Sequence, residues 1–262
     1  MTSAVKKFFV INLDRRPEKF ANFLSKFPLQ VQVERVSAVD GLNLPFDKEP
    51  LKSLVRDGDT FNPFVIGCTL SHYGIFDSVA SDPSYADSDV FVTFEDDVFY
   101  SEDFVKVFDD MCSLLNQGSL GDFDMIRIGG RFGPRFVPSI DSLNKSWSVE
   151  KLSQHGIIFT YKHSTEDSIR GGHYHDRCTH CLVWTKRFAS KIVRYLNDRR
   201  MLEISEDVRG GRGYAIDVLI QRFILDGNCR ILEIFPHVCY SPADYITDIQ
   251  HKPSITVNIA DN

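Results

Sequence analysis

The sequence predicts an α/β fold, and three observations carry the prediction. Short runs rich in β-branched and aromatic residues alternate with segments whose apolar residues recur at helical spacing. The first three such segments follow the order strand, helix, strand, which opens a parallel sheet. The runs that read as strands end in residues that break or hydrate a strand: Asp40-Gly41, Glu95-Asp96-Asp97, Gly129-Gly130 and Pro236-His237.

Lys7–Leu13 (KFFVINL) reads as the first strand. Asp14 follows as a candidate N-cap, and Pro17 suits the first turn of a helix that Phe20, Phe23, Leu24 and Phe27 continue. Val31–Val39 alternates apolar and polar residues as a second strand. Residues 42–62 are polar and turn-rich, a surface excursion with a short helix near Leu51–Val55. Ile66–Ala80 fits a helix with one buried face, and Val90–Phe94 a buried strand. Phe104–Leu115 is an amphipathic helix with Glu102 or Asp103 at its start, and Phe123–Ile128 is another strand. Arg131–Arg177, rich in Gly, Pro, Ser and His, reads as irregular binding loops. Thr179–Thr185 then reads as a strand, Arg187–Leu196 and Tyr214–Leu225 as helices, and Arg230–Phe235 as a strand. The tail after Ser241 is polar and expected to wrap the surface. The chain carries no internal repeat and no low-complexity segment.

A chain of 262 residues reads as one large domain, because a lone core stops growing at roughly 250–300 residues. Hydrophobic residues make up 43% and charged residues 25%, a balance that builds a core and excludes wholesale disorder. A net charge of −6 argues against binding a nucleic-acid backbone, while leaving room for a local basic patch. No apolar run approaches the roughly 18–20 residues of a membrane span, and Lys6-Lys7 precede too few apolar residues for a signal peptide. The expectation is a soluble, cytoplasmic protein. Its six cysteines then read as buried free thiols. Cys178-Thr-His180-Cys181 lacks the second pair of a structural zinc site, so packing at a strand start is preferred.

The chemistry starts at Glu95-Asp96-Asp97. Ligands of a parallel α/β sheet bind outside the C-terminal ends of its strands, where this triplet falls. Three adjacent carboxylates suit a hard divalent cation that also takes substrate phosphates, or else a solvated acidic turn. Residues two apart in a strand share a face, so Glu95 and Asp97 should point one way and Asp96 the other. At the first strand-helix junction, Asn12, Asp14, Arg15 and Arg16 bring paired guanidinium groups to free helix N–H groups. That is an anion site, or an ordinary helix start with a solvated Arg pair. His237, after a late strand, is of a type that completes carboxylate metal sites, although a single histidine is more often a satisfied core or surface residue. There is no G-x-G-x-x-G after the first strand, no P-loop and no nucleophile elbow.

These blocks together resemble glycosyltransferase family 25, which includes bacterial lipopolysaccharide and lipooligosaccharide sugar transferases and procollagen galactosyltransferases. FFVINLDRRPEKF, VERVSAVDG, IGCTLSHYGIF and VFVTFEDDV occur in the family's order, and THCLVWTKRFASKI, GYAIDVLI and HVCYSPADYITDIQ extend the likeness over most of the chain. The resemblance implies a GT-A-type, Rossmann-like mixed sheet flanked by helices. Residues 1–130 would form the nucleotide-sugar half and 131–262 the acceptor half. It implies Mn²⁺ (or Mg²⁺) held by Asp97, by Asp96 or Glu95, and by His237. A UDP-hexose donor would lie among Asn12, Asp14, Arg15, Arg16, Ala38, Asp40 and Gly41. Ser71 and His72 would line its pocket or brace the acidic loop.

The implied reaction is inverting transfer of galactose or glucose to a hydroxyl of a glycan, lipopolysaccharide or glycoprotein acceptor. An acceptor hydroxyl needs a carboxylate base opposite the leaving group, and Asp217 in YAID is the candidate, with helix N-capping as its plainer role. Phe132–Asp176, with His155, His163, His173 and His175, matches no family block and would shape the acceptor site. The alternatives are a sugar-nucleotide- or glycan-binding protein without turnover, and a nucleotidyl- or phosphotransferase on the same sheet.

Overall fold

A computed structural model describes residues 4–44, 60–130, 147–152, 157–161, 178–198, 215–226, 229–241 and 255–256. The expected short helix near Leu51–Val55, and most of the 131–177 segment and of the C-terminal tail, lie outside them. The opening unit is β1 (Val5–Asn12), α1 (Pro17–Lys26) and β2 (Glu34–Ser37), with β1 and β2 parallel in register from Phe9 opposite Glu34 to Asn12 opposite Ser37. The helix cap differs from expectation. Arg16 holds the N-cap position, whereas the Asp14 carboxylate accepts hydrogen bonds from Arg35 and Ser37, at 2.7 Å each. Those two donors on β2 outcompete the helix N–H groups for Asp14.

Next come β3 (Thr60–Phe61) and α2 (Pro63–Ser81), the latter capped by Asn62, whose side chain accepts from the Phe64 N–H. They lead to β4 (Val90–Glu95), β5 (Phe99–Tyr100) and α3 (Phe104–Asn116). The chain continues through β6 (Met125–Arg127), β7 (Gly129–Gly130), β8 (Trp147–Leu152), β9 (Ile157–Tyr161), β10 (Cys181–Thr185) and α4 (Lys186–Asp198). It closes with α5 (Ile216–Leu225), β11 (Ile231–Phe235), β12 (Cys239–Tyr240) and β13 (Ile255–Thr256).

One eight-stranded sheet runs in the order β2-β1-β4-β10-β6-β11-β9-β8. β1, β2 and β4 are parallel, as are β6 and β11, and β10 lies antiparallel between β4 and β6. The sheet is therefore mixed. Its functional consequence is that the start of β10 shares an edge with the C-terminal ends of β1, β4, β6 and β11. β8 and β9 form a hairpin against β11, inside a segment that reads as irregular in sequence. A register shift between Val149 and Lys151 breaks the period-two signal of β8, which hides the strand.

Both faces of the sheet are covered, which is why its strands read as unbroken apolar runs. Phe9, Ile11, Phe91, Leu182 and Trp184 face α2, α4 and α5 in one core, with Phe76 and Phe188. Phe8, Val10, Val92, Phe94 and Val183 face α1 and α3 in the other, with Phe23, Phe104 and Phe108. Trp184 satisfies its indole N–H on the Thr93 hydroxyl at 3.0 Å, while Phe76 packs edge-on against it at 5.0 Å. Asp124, just before β6, ties α4 to the start of β11: it accepts from Arg187 Nε at 2.9 Å, Lys191 Nζ at 3.1 Å and the Arg230 N–H at 2.9 Å.

Two glycines fix how α2 approaches the sheet edge. A Cβ on Gly67 would lie 2.5 Å from the Val39 carbonyl oxygen, and one on Gly41 would lie 2.1 Å from that of Pro63. Only glycine permits this backbone contact. It sets the Ala38–Gly41 turn beside the end of β4. All six cysteines are free thiols; Cys112, Cys181, Cys229 and Cys239 are buried as expected, whereas Cys68 and Cys178 are only partly buried.

Candidate functional site

Glu95 is the last residue of β4 and the hub of the site. Its Oε1 accepts from the Thr179 hydroxyl at 2.5 Å and lies 3.2 Å from His72 Nε2, with Cys68 Sγ 3.9 Å away. Its other oxygen, Oε2, lies 3.0 Å from His180 Nδ1. The same nitrogen is 3.9 Å from Asp97 Oδ1. Asp96 turns the other way, its Oδ2 accepting from Asn12 Nδ2 at 2.6 Å. The triplet splits into Glu95 and Asp97 together and Asp96 apart, but β4 ends at Glu95 and both aspartates stand in the turn that follows, so the turn and not strand alternation produces the split.

Electrostatics separates the two carboxylates that face each other. Burial opposes ionisation of Glu95, but hydrogen bonds from His180 and His72 hold its carboxyl well below the usual range. No such donor to Asp97 stands among the described residues. Burial and then the charge of Glu95 push it up to about 6. Its Oδ1 is buried and makes no hydrogen bond among the described residues. For His180, burial favours the neutral ring, yet contacts with Cys178 and Glu95 keep its pKa well above the ordinary histidine value. A buried carboxylate oxygen with an unfilled valence, next to a second carboxylate, is where a cation lowers the energy most. Glu95, Asp97 and His180 bring their ligand atoms within 4.8 Å of one another, so the residues present fit a divalent metal with O,O,N donors.

A cleft of about 110 Å³ opens beside them. Ala38, Val39 and Gly41 line one side, Phe64, Cys68 and Ser71 on α2 another, and Leu13, Lys19 and Glu95–Asp97 the floor. Ser71 braces the wall by donating to the Gly67 carbonyl and accepting from the Val39 N–H. Asp40 accepts from the Leu42 N–H at 3.1 Å and pairs with Arg15 at 2.9 Å. Arg16 pairs with Glu18, also at 2.9 Å, and its carbonyl oxygen accepts from Asn12.

Of the residues expected at the site, Ala38, Gly41, Ser71 and the acidic triplet line the cleft; Asn12 and His72 reach it only through Asp96 and Glu95, and Asp40, Arg15 and Arg16 are not among its lining residues. Asp217 stands in the first turn of α5, and its charge, with those of Glu95 and Asp97, reaches Cys68 and adds to the effect of burial in raising that thiol. Asp14 points instead to the exposed Arg35 and Ser37. The histidine brought beside Asp97 is His180, not the expected His237. His237 is fully buried, with Nε2 2.9 Å from Glu233 Oε1, and it belongs to neither ligand group among the described residues. The physical reason is the antiparallel β10: it places His180 opposite Glu95, a pairing that no sequence spacing announces. Sequence reasoning also missed Lys19, Cys68, Thr179 and Arg35, whose Nε donates to Asn12 Oδ1 at 2.8 Å.

Comparison with known proteins is decisive at the level of family. The family model described as "Glycosyltransferase family 25 (LPS biosynthesis protein)" matches residues 5–237. The chain belongs to glycosyltransferase family 25. Among curated relatives, the "Probable inactive glycosyltransferase 25 family member 3" of Rattus norvegicus is 35% identical over 109 residues, 37% of this chain and 18% of the relative. The "Inactive glycosyltransferase 25 family member 3" of Mus musculus is 35% identical over 107 residues, 37% of this chain and 17% of the relative. The chain spans less than a fifth of the length of these relatives. No helix among the described residues is long and apolar enough to cross a membrane.

Proposed function

We propose that this family 25 chain is an inverting, divalent-metal-dependent glycosyltransferase. It moves a hexose from a nucleotide sugar, UDP-galactose or UDP-glucose, to a hydroxyl of a glycan, lipopolysaccharide or glycoprotein acceptor. The observation that carries the reading is the buried Asp97 oxygen with no hydrogen-bond partner among the described residues, set beside Glu95 and His180 at the floor of the cleft. On this reading the site is of GT-A type, residues 1–130 hold the donor and 131–262 the acceptor. Six free thiols suit a cytoplasmic setting.

Asp97, Glu95 and His180 would hold Mn²⁺ or Mg²⁺, which neutralises charge on a departing diphosphate. The protein's own part can be followed residue by residue. Lys19 and the Arg15/Arg16 junction supply positive charge to the donor phosphates, and the Ala38–Gly41 turn lets the nucleoside lie against backbone. Asn12 holds Asp96 on the β1 side, which keeps Asp97 turned toward His180. The charge of Asp217 is felt at Cys68, which supports a role near the site, and on this reading its carboxylate takes the acceptor hydroxyl proton as the new glycosidic bond forms.

The test is a panel of nucleotide sugars in thermal-shift assays with and without Mn²⁺, followed by donor hydrolysis and transfer to candidate glycans. A Mn²⁺-dependent shift with one UDP-hexose, and turnover of it, is the expected result. The names of the two relatives favour a second reading, donor binding without turnover, for which the shift appears and hydrolysis does not. No shift with any donor in either condition refutes both.

A further inference from the structure

We propose that Cys68, His72 and Glu95 form a second cation site, one for a thiophilic divalent ion of the zinc class. It shares Glu95 with the hard-cation site and does not depend on the transferase reading. Cys68 and His72 stand four residues apart on α2, hence one above the other on a single face. Both converge on the same carboxylate oxygen, Oε1 of Glu95, while Oε2 serves His180. The three ligand atoms lie within 4.8 Å of one another. Oε1 also accepts from the Thr179 hydroxyl at 2.5 Å, so its two lone pairs would serve that hydroxyl and the ion while Oε2 serves His180.

Geometry and chemistry select the ion. Tetrahedral zinc, with bonds of about 2.3 Å to sulfur and about 2.0–2.1 Å to nitrogen and oxygen, sets its ligands roughly 3.3–3.6 Å apart. The observed separations are 3.2 Å from His72 Nε2 to Glu95 Oε1 and 3.9 Å from Cys68 Sγ to the same oxygen. These two separations lie within a few tenths of an ångström of that spacing, and the third, from Cys68 Sγ to His72 Nε2, is within 4.8 Å. A thiol is a poor ligand for Mg²⁺ or Mn²⁺ and a strong one, as thiolate, for zinc. Cys68 and Glu95 both line the cleft, which would give a solvent or substrate ligand access to the ion. Three carboxylates, Glu95, Asp217 and Asp97, send their field onto Cys68, so added positive charge there is stabilised.

The binding step balances as follows. Zinc takes the sulfur lone pair, and the Cys68 thiol proton leaves to solvent. His72, whose Nε2–H donates to Glu95 in the metal-free chain, presents the Nε2 lone pair once its ring hydrogen has passed through solvent to Nδ1. Because Glu95 is common to both sites, zinc draws on the carboxylate that the hard cation also uses, and the two ions compete.

Cobalt(II) reports such a site optically. Titrating the metal-free chain with Co²⁺ should give, at one equivalent, a thiolate-to-cobalt charge-transfer band in the near ultraviolet with the visible bands of a four-coordinate ion. Mn²⁺ should give no such band, and Zn²⁺ should erase it. C68S, close to isosteric, should lose the band while retaining the wild-type circular dichroism spectrum. X-ray absorption of the zinc-loaded wild-type chain needs no variant, and should show one sulfur at about 2.3 Å among nitrogen and oxygen ligands. Absence of the band in wild type, a shell without sulfur, or a band that survives in C68S and so belongs to another cysteine would each overturn the assignment.

Discussion

Replacing Asp97 by Asn isolates the electrostatic cost of the acidic cluster. The Asp97 side chain is only 11% exposed, and burial together with the Glu95 charge raises it from the ordinary aspartate value of 3.8 to about 6. A rise of about 2 units corresponds to about 3 kcal/mol of destabilisation once the group is ionised. The sign follows from proton counting. Between pH 4 and 6 the folded chain holds the Asp97 proton while the unfolded chain has lost it, so stability falls as pH rises through that window. Below it Asp97 is protonated in both states and costs nothing. D97N should therefore match wild type near pH 4 and exceed it progressively, levelling off above pH 7 at about 3 kcal/mol. Urea unfolding at a series of pH values, with chelator present, measures this. Adding Mn²⁺ should then stabilise wild type and leave D97N unmoved. A D97N chain no more stable than wild type at pH 7.5, or a difference that does not change with pH, would show that Asp97 is not held in the unfavourable field described.

Three further predictions rest on separate contacts. D217N should lower transfer by about 10²–10⁴-fold while the donor-induced thermal shift persists; undiminished turnover removes Asp217 from the chemistry. G67A should cost about 1–3 kcal/mol, because its Cβ meets the Val39 carbonyl at 2.5 Å, and should weaken donor binding by displacing the Ala38–Gly41 turn; a chemical-denaturation midpoint equal to wild type contradicts this packing. D124A strands Arg187, Lys191 and the Arg230 N–H together and should cost about 3 kcal/mol, discounted for the partial exposure of both cations; a loss below about 0.5 kcal/mol would make Asp124 an ordinary surface charge.

The sequence made the parallel half of the sheet legible because its strands are buried on both faces and its turns are punctuated by Gly, Pro and Asp. β1, α1, β2, α2 and β4 fall where periodicity puts them, with ends displaced by a few residues. The separation of Asp96 from Glu95 and Asp97 was anticipated for the wrong reason, since the strand stops at Glu95 and the turn after it does the separating. What resisted was long-range pairing. The strand reading of 179–185 is correct in kind, but its antiparallel insertion beside β4 is set by tertiary packing, and that insertion alone delivers Thr179 and His180 to Glu95. His237 was an attractive ligand because it ends a strand at the right sheet edge. Its partner Glu233 lies two residues before the end of the same strand, fully buried, and claims the imidazole locally.

The acidic triplet raised the question of how three adjacent carboxylates are tolerated at the end of a buried strand. The fold answers it in three different ways. Asp96 turns toward β1, where its carboxylate accepts a hydrogen bond from the Asn12 amide. Glu95 is surrounded by donors from α2 and from the start of β10, and remains ionised despite burial. Asp97 receives neither treatment, and its raised pKa records the deficit. A site that only needed to be stable would have replaced Asp97 by an amide or an apolar residue, as buried charges without partners generally lower stability. Retaining a carboxylate there makes physical sense if a cation regularly occupies the position, and the D97N stability profile with and without Mn²⁺ distinguishes that explanation from a merely unfavourable charge.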